Sequence, residues 1–255
     1  MNTASAEVAR WREAGDAAFL ATAALVFGIA AVVTVHGCLS TSMSMPWMRM
    51  PGQTWPGVAA GFLGMWVAMM VAMMLPSLVP MLRRYRRALR ELHETRLGLP
   101  TTLVAIGYFC VWSALGLAAF PVGVALAAIG TRVPAMARAV PVAVGVILLI
   151  AGMLQFTAWK ARHLACCQSA PGHGRGLPAD AGTAWRHGLR CGLHCSLCCA
   201  GPTTVLLAFG AMDLRAMAIV MLAITTERLA PAAGRVAQAI GSVAVVAGLA
   251  LIARA

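Results

Sequence analysis

Six of the eight cysteines fall between residues 166 and 199. Cys191, Cys195, Cys198 and Cys199 are spaced i, i+4, i+7 and i+8, which places four thiols on one face of a helix. His187 and His194 stand at the edge of that face, and Cys166 and Cys167 follow His163 further back in the chain. Thiolates held together bind soft or borderline metals, or exchange disulfides. Eight cysteines in 255 residues are too few for a disulfide scaffold. The spacing matches neither an iron–sulfur run nor a two-knuckle zinc ribbon, and the haem signature Cys-x-x-Cys-His does not occur in the sequence.

Methionine carries the second signal. Met65, Met69 and Met73 recur every four residues, and Met70 and Met74 widen the stripe into a sulfur-lined helix face. Met43, Met45, Met48 and Met50 crowd the polar segment before it. A thioether is soft and uncharged, so it takes Cu(I) or Ag(I) and leaves Zn(II), Mg(II) and Ca(II) largely alone. It also adds no buried anion to a low-dielectric path. The plainer alternative for the stripe is methionine used as core filler. That alternative does not cover the Met-x-Met pairs outside the apolar run.

The elements that must position these residues are membrane helices. Sixty per cent of the residues are hydrophobic and 11% are charged, against about 25% in a soluble domain. Mean hydropathy is +0.81. A soluble globular enzyme and a disordered chain are both excluded. About 20 apolar residues cross a bilayer, and seven runs are long enough to consider: 17–38, 58–82, 101–128, 139–159, 191–211, 214–230 and 236–253. The expected fold is all-α, a polytopic transmembrane bundle of about seven spans. Residues 1–16 form a polar cytoplasmic tail and 17–255 a single membrane domain. That domain carries a Met-rich outer loop at 39–57 and a Cys/His-rich segment at 160–199. The fifth and sixth runs are short and interrupted, as re-entrant or broken helices are.

The net charge is +12, from 19 Arg and one Lys against eight acids. With the N-terminus inside, seven spans put 15 basic residues on the inner side and five on the outer, following the positive-inside rule. The basic excess therefore reports topology, not nucleic-acid binding. The thiols at 166–199 then face a reducing compartment, where stable disulfides are not expected.

Ionisable residues at membrane depth are costly and mark function or an ion pair. Glu227 is the chief case: a metal ligand, a proton carrier, or the partner of Lys160 or Arg228. Gln155 lies one turn before Trp159 and Lys160. Asp213 has the place of a turn or helix-cap residue. Cys110, inside an apolar run, reads as a small core residue. Cys38 with His36 makes a metal-capable pair but not a site.

Three blocks together resemble a bacterial family of predicted metal-binding integral membrane proteins, linked to copper delivery. The first is Met65-Trp-Val-Ala-Met69-Met70-Val-Ala-Met73-Met74-Leu-Pro-Ser77. The second, Gln155-Phe-Thr-Ala-Trp-Lys160, is similar to the family's Gln-x-Thr-Pro-x-Lys. The third is His194-Cys195-Ser-Leu-Cys198-Cys199, followed by Asp213 and Glu227-Arg-Leu-Ala-Pro231. The resemblance spans residues 58 to 231. It implies metal binding by Met69, Met70, Met73 and Met74, by Cys195, Cys198 and Cys199, and by Glu227. Where the family tends to carry Cys-Leu-x-x-Cys, this chain has His163-Leu-Ala-Cys166-Cys167, so His163 replaces a thiol. Arg228 stands for the usual Lys, and Cys191 and His194 look like additions.

These readings converge on a membrane protein that binds a soft metal, Cu(I) before zinc, and acts in copper transport or delivery. It is not expected to be an enzyme. Its surroundings would be the lipid bilayer of the bacterial inner membrane. Its partners would be a periplasmic or membrane cuproenzyme, or a soluble copper carrier. Nothing in the sequence supplies a nucleotide loop for active pumping. A transmembrane thiol-redox relay is one alternative. An assembly subunit stapled by zinc or cysteines is another. Neither gives the methionine stripe a task.

Overall fold

A computed structural model describes residues 3–40, 52–92, 94, 97–132, 134–168, 180–209 and 213–254. Met43, Met45, Met48 and Met50 lie outside them. The described residues form nine helices and no strand: α1 Thr3–Ser40, α2 Trp55–Glu91, α3 Gly98–Arg132, α4 Pro134–Leu154, α5 Ala158–Gln168, α6 Ala181–Cys198, α7 Ala200–Phe209, α8 Leu214–Leu229 and α9 Ala233–Arg254. The all-helical expectation holds. Helix α1 runs back through the expected tail as far as Thr3. Asp16 then joins it to α2, accepting from Arg90 at 2.6 and 2.9 Å.

The span count differs from seven. Among the described residues four helices are long and apolar enough to cross a membrane: α1 from Glu13, α2, α3 to Gly130, and α9. Two further crossings are possible only as bent pairs, α4 with α5 at 69° and α6 with α7 at 62°. Helix α8 has 16 residues, so it rises about 24 Å at 1.5 Å per residue, short of a hydrocarbon core of about 30 Å. The sequence ends it with Glu227 and Arg228, and Pro231 follows. Four or six crossings would put the two termini on the same side, where seven put them on opposite sides.

Each bend has a local cause. Pro202 has no N–H to give to the carbonyl four residues back, that of Cys198. The helix therefore breaks at Cys199 and restarts as α7. The other bend falls at 155–157, where Gln155, Phe156 and Thr157 bond back three residues instead of four. Thr157 stabilises that turn from both sides. Its hydroxyl donates to the Leu154 carbonyl at 2.7 Å and accepts from the Lys160 N–H at 3.3 Å.

Close packing follows from glycine. Helix α3 lies against α6, and α4 against α9. A Cβ on Gly192 would stand 2.8 Å from the Tyr108 carbonyl, and one on Gly188 would strike the Val104 backbone. Small residues let helix backbones approach in a membrane, where dispersion replaces the hydrophobic effect. By contrast a Cβ on Gly61 of the Gly57-x-x-x-Gly61 step would meet nothing within 4 Å among the described residues. The core is made by α2, α3, α6 and α8 and holds Trp66, Met69, Met70, Met73, Met74, Tyr85, Tyr108, Trp112, Cys195, Cys198 and Cys199. Cys110 is exposed on α3 instead of buried, because the packed face of that helix is set by Val104, Tyr108, Val111 and Trp112.

Candidate metal centre

Helix α6 delivers the thiols. The approach permitted by Gly188 and Gly192 sets its register on α3, so that Cys195 meets Tyr108. The Tyr108 hydroxyl donates to Cys195 Sγ at 2.8 Å. Arg228, from the end of α8, donates to the same sulfur at 3.2 Å and to Ser77 Oγ at 2.7 Å. Cys195, Tyr108 and Arg228 are all buried. Two donors, one of them cationic, thus converge on one sulfur in a water-poor interior. That arrangement stabilises sulfur carrying negative charge, as a thiolate or as a metal-bound thiolate.

The other thiols adjoin in sequence. Cys195 Sγ and Cys199 Sγ are 3.9 Å apart. Cys198 lies close enough to Cys199 and to Cys167 of α5 for the sulfurs to act on one another. The four sulfurs therefore form a chain, Cys195–Cys199–Cys198–Cys167, inside the bundle. Among the described residues no three His, Cys, Asp or Glu side chains already surround a common point. A pair fits better. Thiolate–metal bonds of about 2.3 Å put two sulfurs 3.9 Å apart at an S–metal–S angle of about 115°. Thiolates suit Cu(I) and zinc alike, and the bent angle leaves the metal open to a further ligand.

The helix bends join directly to this chain. Lys160 Nζ donates at 2.8 Å to the Cys198 carbonyl, the group Pro202 leaves without a helical partner. The same ammonium pairs with Glu227 Oε2 at 2.6 Å, and Gln155 Nε2 donates to Glu227 Oε1 at 2.7 Å. Both carboxylate oxygens of Glu227 are thereby occupied. Its place is that of a buried counter-ion to Lys160, with 1% and 3% of the two side chains exposed. Asp213 caps α8, accepting from the N–H groups of Arg215 and Ala216.

Met69, Met70, Met73 and Met74 are buried at 3% exposure or less, in the same core cluster as Cys195, Cys198 and Cys199. Pro76 and Pro80 lie further along the same continuous helix. The remaining expected ligands sit apart, toward one end of the α5–α6 pair. His163 and His194 face each other there, Nδ1 to Nδ1, at 3.2 Å. Cys191 is half-buried and Cys166 exposed.

Tyr108 had no signal in the sequence beyond being a tyrosine in an apolar run, where a buried hydroxyl needs a partner. Arg228 was visible as a charge at membrane depth. Its aim at Cys195 was not, because 33 residues and two helix ends separate them.

No curated protein and no solved structure matches the chain. A family model described as PpoB2, copper chaperone, matches residues 63–251. That stretch contains the methionine face, the thiol chain, Lys160, Glu227 and Arg228. Cysteine and methionine sulfur buried together, a cationic clamp on one thiol, and a copper family covering both lead to one assignment: the chain belongs to the PpoB2 copper chaperone family.

Proposed function

We propose that this protein holds Cu(I) as cargo on the buried thiols and exchanges it along the methionine face of α2. The observation that carries the reading is the convergence of Tyr108 and Arg228 on Cys195 Sγ, 3.9 Å from Cys199 Sγ. A Cu(I) ion on two thiolates bears one net negative charge. Arg228 brings a positive charge against it, while Lys160 and Glu227 cancel each other. The buried centre is therefore matched to a monovalent cation between two thiolates. A divalent zinc ion on the same two sulfurs would leave the complex neutral and Arg228 facing no anion there.

Methionine 69, 70, 73 and 74 supply uncharged soft ligands one helical turn or less apart, so Cu(I) moves by ligand exchange without accumulating charge. In this reading the protein lies in the bacterial inner membrane with its N-terminus cytoplasmic. It passes copper between a soluble carrier and a periplasmic or membrane cuproenzyme. Neither direction of travel is favoured by the geometry. In this reading the protein acts as a chaperone or conduit and not as an enzyme.

The test is Cu(I) stoichiometry and affinity of the detergent-purified protein under reducing conditions, by competition with a chromophoric chelator. Wild type is compared with Cys195→Ser/Cys198→Ser and with Met69→Leu/Met73→Leu. Stoichiometric Cu(I) that falls in both variants supports two stations on one path. Zinc in place of copper, or thiols that cycle between oxidised and reduced forms without binding copper, would replace this reading by a structural staple or a redox relay.

A further inference from the structure

The α5–α6 pair carries a second constellation, distinct from the buried thiols. Helix α5 presents His163 and Cys166, and α6 presents Cys191 and His194. Each is an i, i+3 pair, so each lies on one helix face. The two helices pack together, which brings His163 to His194 and Cys166 near Cys191. The first contact is explicit, with Nδ1 to Nδ1 at 3.2 Å. The second is close enough for Cys191 and Cys166 to act on one another electrostatically.

Two imidazole nitrogens 3.2 Å apart have two explanations. One ring donates to the other, or the pair stands ready to share an ion. Metal–nitrogen bonds of about 2.0–2.1 Å put nitrogens at that separation when the N–metal–N angle is about 100°. The environment favours the second use. His163 and His194 are half-buried, Cys191 is half-buried and Cys166 is exposed, so the group is open on one side. The edge of the Trp159–His163 ring pair, with centroids 4.7 Å apart, fixes the orientation of His163. Cys191 is one turn from Cys195 on the same face of α6, and the open group thus leads directly to the buried chain.

We propose that His163, Cys166, Cys191 and His194 form an entry site that takes Cu(I) from a thiolate donor and hands it to Cys195. The site rests on the reading that the protein carries Cu(I). Among the described residues no three of these side chains already converge. The histidine pair therefore makes the first bonds, and the cysteines complete the shell by rotating about χ1. Copper stays Cu(I) throughout. Each thiol that ligates releases one proton to solvent, the donor's thiolates leave as the site's ligands arrive, and no electron is transferred. Arg162, Arg186 and Arg190 on the same two helices are exposed. They favour an anionic thiolate–Cu(I) complex as donor over the free cation.

The experiment uses the full-length protein in detergent, loaded from glutathione-buffered Cu(I) and read by copper stoichiometry and X-ray absorption. Wild type should bind one more equivalent than His163→Ala/His194→Ala, and its spectrum should contain imidazole scattering that this variant lacks. The variant should also load the buried thiols at least tenfold more slowly. His163→Cys, which keeps a ligand in place, should retain the equivalent with weaker imidazole scattering. An all-sulfur wild-type spectrum, with stoichiometry unchanged in the histidine variants, would overturn the entry site and leave the buried centre standing. So would an imidazole site that takes only Zn(II). Loss of copper from Cys195→Ser/Cys198→Ser alone separates the two centres, and absence of Cu(I) from wild type would remove both.

Discussion

Tyr108 Oη and Cys195 Sγ, 87 residues apart in the chain, lie 2.8 Å from each other in the buried interior. A hydroxyl aimed at a thiolate is a charge-assisted bond, worth about 1.5–3 kcal/mol. Tyr108→Phe keeps the ring and removes the donor. It should weaken Cu(I) binding by about ten- to a hundredfold while leaving the helical content unchanged. Chelator competition together with circular dichroism checks both halves.

Arg228 should not tolerate replacement equally in all directions. Lysine keeps the charge, but Ser77 and Cys195 both accept from the single Nη1 at the tip of Arg228, a point the shorter lysine side chain does not reach in the same place. Arg228→Lys should therefore retain copper with reduced affinity, and Arg228→Met should lose most of it. If Arg228→Met binds Cu(I) as wild type does, the cation has no part in stabilising the metal-bound thiolate. The same competition titration reads both variants.

Lys160 and Glu227 form a buried pair, and removing one partner strands the other. Breaking such a pair costs about 3–5 kcal/mol. Lys160→Met alone, or Glu227→Gln alone, should lower thermal stability in detergent sharply. The double variant should recover much of the loss, since neither charge is then left unpaired. Fluorescence-detected thermal unfolding of the four proteins completes the cycle and gives the coupling between the two residues.

Packing at Gly188 should matter as much as the ligands do. A side chain there meets the backbone of Val104, not a flexible tip. Gly188→Val should push α6 away from α3, separate Cys195 from Tyr108 and lower both stability and copper affinity. The equivalent change at Gly61, where a Cβ would meet nothing within 4 Å among the described residues, should do neither.

The thiol face was legible because helical periodicity needs only local sequence. Cys195 and Cys199 do meet one turn apart, and the break at Cys199 does not separate them. The methionine stripe was legible for the same reason, and all four of its central residues are buried. What surrounds Cys195 was not, because Tyr108 and Arg228 arrive from other helices whose register depends on glycine contacts. The seven spans were over-counted because apolar composition alone does not tell a crossing helix from a short one, as α8 demonstrates. The bend at 155–157 was hidden too. The hydroxyl of Thr157 holds that turn from both sides, with Ala158 and no proline after it.

Lys160 sits at the start of one bent pair, α4–α5, and holds the carbonyl at the break of the other, α6–α7. The two joints therefore share a single pin. Straightening either joint would strain or break the bond at this pin, and Glu227 ties α8 to it. Two hinges that would otherwise be independent reduce to one collective coordinate, which also moves Cys198 and Cys167. Any change in access to the thiols is then concerted, a single mechanical step felt at once by five helices.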